Sequence, residues 1–208
     1  MKTASAKTLL VAIAGALLFT CNLPAQERIE DKQLTQYAFI LGFTSTQEKD
    51  VPVKVLPDAV KASAIHLDDQ IAVLIPDQQL AEDRLAKVSE KEVTPLGQIW
   101  LRDLVPQVEG KKVAADKLRS VTIDAGKEKI TAQLCFLGLQ KNSKGETEVV
   151  VYGKGKEVVA RPVLEAHEEK HDKPILVGMD APADKPMTVS ISFFGKHRAQ
   201  FEVAAAGK

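Results

Sequence analysis

The segment Lys129–Leu139, KITAQLCFLGL, constrains the fold of this chain more than any other. Ile130, Ala132 and Leu134 alternate with Thr131 and Gln133, and a continuous apolar run, Leu134-Cys135-Phe136-Leu137, follows. That pattern predicts a β-strand half covered at one end and buried on both faces at the other. A strand buried on both faces needs sheet neighbours beside it and packed layers above and below.

The flanking sequence supplies such neighbours. From Val93 onward, short apolar or alternating runs recur between Gly-, Pro-, Asn- and Lys-rich turns. The runs include Gly97–Leu101 with the single tryptophan Trp100, Leu118–Ile123, Thr147–Tyr152, Glu157–Val163, Ile175–Met179, Met187–Phe193 and Arg198–Ala204. Asp124–Lys127 is read as the turn into the central strand, and the tail Ala204–Lys208 as frayed. About eight strands on short connections imply antiparallel pairing. The expected fold is mainly β: an antiparallel β-sandwich of immunoglobulin-like architecture over residues 92–208, preceded by a smaller mixed α/β segment over 26–91. The Cys…Trp…Cys spacing of immunoglobulin domains is absent, so only the architecture is implied.

Within 26–91, Leu34, Tyr37, Ala38 and Leu41 recur at helical spacing, widened by Phe39, Ile40 and Phe43. This predicts a helix over Glu30–Leu41, stopped by Gly42, whose wide apolar face buries against the rest of the chain or a second copy. Val51, Val53 and Val55 predict a short strand that Pro52 restricts to an edge or an end, followed by a helical turn from Pro57 through Ala64. The run IAVLI within Gln70–Ile75 reads as a strand. Asp77–Lys91 has the clearest helical pattern in the chain, with Leu80, Ala81, Leu85 and Val88 on one side and charges on the other.

Residues 1–25 read as a signal peptide. Lys2 and Lys7 precede an apolar run of eleven residues, Leu9–Phe19, too short to cross a bilayer, and cleavage is expected after Ala25. No later segment has the apolar length of a transmembrane helix. The expected location is periplasmic or secreted. Leu18 and Cys21 match a bacterial lipobox, whereas Phe19 and Thr20 depart from it, so a lipid anchor at Cys21 is the lesser expectation. Once Cys21 is removed, Cys135 stands alone and reads as a buried small hydrophobe. The leader holds two lysines and no acids, which leaves 26 basic residues (28 less 2) against 28 acidic, a net charge near −2. Such a balance offers no basic excess for nucleic acid or anionic lipid.

The chemistry-bearing motif is His167-Glu168-Glu169-Lys170-His171. It resembles the H-E-x-x-H motif of the zincin metalloproteases, in which two histidines on one helical face bind zinc and the glutamate activates water. That resemblance implies a zinc hydrolase using His167, Glu168 and His171. It covers five residues, its x positions are charged, and Asp172-Lys173-Pro174 ends the segment without a third ligand pattern. The residues themselves read as a charged loop between two strands, with His167, His171 and Glu165 as the only metal candidates and no catalytic set. Gly153-Lys154-Gly155-Lys156 lacks phosphate-loop spacing and reads as a hairpin turn. Lys196-His197-Arg198 reads as a soluble turn, and His66 beside Asp68-Asp69 as a surface pair.

Three functions follow as expectations. One is an exported, non-enzymatic β-sandwich module that binds a protein or other envelope ligand, with no cofactor, through loops at the sandwich ends. The second is the zinc hydrolase. The third is an envelope assembly protein that self-associates through residues 30–41.

Overall fold

In the computed structural model, residues 27–28, 31–124, 129–183 and 185–207 are described. The signal peptide, Cys21 and most of the turn expected at Asp124–Lys127 lie outside them. In chain order the elements are β1 (Glu27–Arg28), α1 (Asp31–Thr46), β2 (Ser63–Leu67), β3 (Gln70–Pro76), α2 (Glu82–Leu85), β4 (Thr94–Arg102) and β5 (Leu104–Val108). Then follow β6 (Lys111–Lys112), β7 (Ser120–Asp124), β8 (Lys129–Lys141), β9 (Thr147–Tyr152) and β10 (Val158–Ala160). The chain ends with β11 (Glu165–Ala166), β12 (Ile175–Asp180), β13 (Met187–Phe193) and β14 (His197–Ala205).

These strands form two antiparallel sheets packed face to face, so the fold is mainly β and a sandwich. The larger sheet runs β1-β2-β3-β4-β8-β9-β10, with β7 on the first half of β8; the smaller runs β12-β13-β14-β5-β6, with β11 beside β14. The long strand β8 lies at the centre. It pairs with β4 along one edge and with β7 and then β9 along the other.

The larger sheet is covered on both faces, and residue parity shows how. Ala72 and Leu74, Ile99 and Leu101, Cys135 and Leu137, and Val149 and Val151 point into the core between the sheets. Their neighbours Val73 and Ile75, Trp100, Leu134 and Phe136, and Val150 and Tyr152 point the other way, under α1 and the loop that follows it. Three layers therefore stack: helix and loop, eight-stranded sheet, six-stranded sheet. Each buried Leu, Val or Ile contributes roughly 1.5–3 kcal/mol of transfer free energy. The runs IAVLI and LCFLGL are continuous because both parities are buried.

The 26–91 segment differs from expectation in several ways. Residue 92 lies in the connection between β3 and β4, which are hydrogen-bonded to each other. Ile65, Ala72 and Leu74 from β2 and β3 complete the core between the sheets. Helix α1 runs through Gly42 to Thr46 instead of stopping. Gly42 is there for contact, since a Cβ would sit 3.1 Å from that of Pro57. Residues 50–56 form no ladder, although Val53 and Val55 are buried beneath the helix.

The helix expected over 77–91 shrinks to the four residues of α2. Tertiary bonds outweigh helix propensity here. The Asp77 carboxylate accepts the N–H groups of Leu56 (2.8 Å) and Gln79 (2.9 Å), Leu80 and Val88 enter the inter-sheet core, and Ser89 accepts the Lys141 N–H (3.0 Å). The tail is not frayed as far as Ala206: Ala204 and Ala205 pair with β5, and the Ala206 N–H donates to Asp103.

Candidate functional site

No helix forms over residues 163–171. The chain leaves β11 and crosses the β13–β14 turn as a strap, which fixes both histidines for structural reasons. The His167 N–H donates to the Lys196 carbonyl (2.9 Å), and the Glu169 N–H to that of Gly195 (3.0 Å). The Phe194 N–H donates in return to the Pro174 carbonyl (3.0 Å). Phe194 and Gly195 both have positive φ, 52° and 66°. A side chain at 195 would overlap the Glu169 carbonyl, so only glycine allows the strap to cross.

The ring of His171 is the fastener. Its Nδ1 lies 2.7 Å from the Lys173 carbonyl, which can only accept, so Nδ1 carries the proton. Nε2 then accepts the Gly195 N–H (3.1 Å) and faces the Ser192 hydroxyl at 3.1 Å. The lone pair that a zinc ion would need is already engaged. The segment is thus a loop between strands, as its residues suggest, but half-buried and bonded at His167, Glu169 and His171. Glu165, on β11, and Glu168 are exposed. Among the described residues, no group of three or more His, Cys, Asp or Glu is placed to hold a metal ion.

The other motifs also resolve into fold contacts. Gly153–Lys156 turns β9 into β10, closed by the Gly153 N–H to Glu157 and anchored by the Lys154 N–H on Lys117 (2.8 Å). Lys196 pairs with Glu82 (2.6 Å) and Arg198 with Asp180 (3.0 Å), so the basic turn is spent on its own neighbours. His66 lies on β2, next to the Asp68–Asp69 turn. Cys135 is fully buried, and desolvation pushes its thiol up to about 12 despite the opposing field of Arg119, which removes the thiolate a nucleophile requires.

What remains is a surface. Only part of the apolar stripe of α1 packs on the sheet. Leu34, Ala38 and Leu41 are buried, while Phe39 and Phe43 are 59% and 70% exposed. The contact between Gly42 and Pro57 brings the following segment, with exposed Leu56 and, in a 3-10 turn over Ala59–Lys61, exposed Val60, alongside the helix. No charged residue occurs between Gln33 and Gln47.

The helix is pinned by Arg119, a residue sequence reading passed over because its role is set by distant partners. Its guanidinium donates to the Glu48 carboxylate (2.8 Å) and to the carbonyls of Lys49 (3.0 Å) and Asp50 (3.2 Å), and it lies 5.7 Å from the Phe136 ring centre. Among the described residues no helix is long and apolar enough to cross a membrane. Comparisons with protein families, curated proteins and solved structures returned no match.

Proposed function

We propose that this protein is an exported, non-enzymatic β-sandwich module that works by contact, in the periplasm or outside the cell, and that the outer face of α1 is its contact surface. One observation carries the reading: two phenylalanines stand exposed on a helix face without charge. Soluble surfaces rarely gather large apolar side chains in one place without a partner. The leader-like residues 1–25 support export, and the engagement of His171 in the fold weakens the hydrolase reading. Self-association through residues 30–41 is the second reading, favoured by the same exposed Phe39.

The test is the double variant Phe39→Ser/Phe43→Ser. Both side chains are exposed, so the variant keeps the thermal transition of the wild type. It loses whatever association the wild-type protein shows when extracts of the exporting cell are fractionated by size and by sedimentation. A variant that fractionates like the wild type contradicts the proposal.

A further inference from the structure

We infer that the strap over residues 167–172 is a pH-sensitive latch, shut while the His171 ring is neutral and opened when that ring takes up a second proton. The inference is independent of what covers α1.

The β13–β14 hairpin creates the need for a latch. It turns through Phe194 and Gly195, both at positive φ, and the Lys196 N–H closes it on the Phe193 carbonyl (2.9 Å). A two-residue turn of this kind leaves the N–H groups of its central residues without partners inside the hairpin. The strap supplies both acceptors. The Pro174 carbonyl takes the Phe194 N–H (3.0 Å), and Nε2 of His171 takes the Gly195 N–H (3.1 Å). Of these two acceptors only the imidazole titrates.

A backbone N–H cannot turn round. Once Nε2 carries a proton, it and the Gly195 N–H are two donors facing each other at 3.1 Å. The Ser192 hydroxyl, also 3.1 Å from Nε2, can rotate to accept the new proton, but that leaves Gly195 without an acceptor. Exchanging the ring nitrogens by a flip does not help, because an imidazolium donates from both. The bond from Nδ1 to the Lys173 carbonyl (2.7 Å) exists in either state, so it does not hold the ring in place against this conflict.

The surrounding charges are of both signs. Ser192 lies beside Arg198 of β14 and Leu176 of β12 on one face of the sheet, and Arg198 is paired with Asp180 (3.0 Å). Lys196 pairs with Glu82 (2.6 Å), and His197, in register with Phe193, belongs to the opposite face. On β11 Glu165 is exposed; on the strap Glu168, Lys170 and Asp172 are exposed and Glu169 is half-buried. The Lys173 amine donates to the Ala62 carbonyl (2.9 Å). Solvent screens the exposed groups, and the contact with Gly195 decides the outcome.

The sign follows from proton counting. The shut strap holds one ring proton, whereas the open strap binds two in acid. Closure is therefore complete above the range in which histidines titrate and is lost as the pH falls through it. Opening uncovers the Ser192 hydroxyl and the β13–β14 turn.

The experiment follows the wild-type protein by NMR from pH 8 to pH 5. The ring signals of His171 report its protonation. Hydrogen exchange of the Glu169 N–H, which donates to the Gly195 carbonyl, reports the strap once the intrinsic effect of pH on exchange is divided out. The expected result is a ring protonated at Nδ1 alone at pH 8, and a fall of about tenfold or more in Glu169 protection by pH 5 that tracks the ring's titration. The amides of β8 keep their protection throughout. His171→Gln, neutral at every pH, is expected to lose the dependence. Proton uptake by the ring with Glu169 still protected, no uptake above pH 5, or a loss of protection shared by β8 overturns the inference. So does a pH dependence that survives in His171→Gln. Ring and strap are both read in the wild type, so the test stands even if the variant does not fold.

Discussion

Gln98 lies on β4 between Ile75 and Phe136, fully buried in the layer beneath α1, and neither end of its amide meets a hydrogen-bond partner among the described residues. The indole N–H of Trp100, two residues on along the same face, also finds no partner among the described residues. An amide buried without partners forfeits its solvation and gains nothing in exchange. Gln98→Leu is therefore expected to raise stability by roughly 1 kcal/mol, an increase of about 2–4 °C in Tm for a chain of this size. Chemical denaturation of the variant checks it, and a loss of stability would show that the amide has a partner after all.

Cys135 gives a prediction with a sign. Its folded thiol is raised from 9.0 to about 12, so folding favours the protonated form. That contribution is complete below about pH 9 and is lost as the pH climbs towards 12, because the unfolded chain releases its proton first. Tyr37 and Tyr152, both raised by burial, act in the same direction. Stability measured between pH 8 and 11 should fall, and Cys135→Ala should flatten the fall without abolishing it. An unchanged slope would contradict the burial of the thiol.

Among the elements, α1 shows which local signals decide structure and which are overruled. Its apolar spacing is visible in the sequence. Its end is not, because Gly42 resembles a stop signal while serving as a close contact for Pro57. The last turn is closed by side chains instead: Thr44, Ser45 and Thr46 hydroxyls donate to the carbonyls of Ile40, Gly42 and Phe43. The converse holds over 77–91, where a strong helical pattern yields to Asp77 and to the burial of Leu80 and Val88 between the sheets. Arg119, nearly buried and seventy-one residues from Glu48, is beyond any local reading. Arg119→Met should destabilise the protein by about 1–2 kcal/mol, since it removes the hydrogen bonds of the half-buried Glu48 carboxylate and of the Lys49 and Asp50 carbonyls. Hydrogen exchange should rise first in α1 and residues 47–55. A loss spread evenly over both sheets would contradict the view that this residue pins the helix.

At the scale of the whole molecule, strand parity made the sandwich legible. KITAQLCFLGL announced a half-covered end and a doubly buried end, and β8 has both. Composition changes near residue 92, yet β3 and β4 on either side of it are hydrogen-bonded neighbours, a pairing that composition does not reveal. His167-Glu168-Glu169-Lys170-His171 was legible as a motif, but its meaning depends on backbone shape. In a strap over a left-handed Phe194–Gly195 turn, the same letters make a fastener. The exposed half of the α1 stripe, Phe39 and Phe43, could be recognised only once the side of the helix that packs on the sheet was known.

The account rests on contact in place of catalysis, and metal content tests it most directly. The native protein, purified from the exporting cell without chelator or added metal, is predicted to contain zinc far below one ion per chain, and His167→Ala to leave that content unchanged. One zinc per chain, lost on His167→Ala, would contradict it and restore the hydrolase.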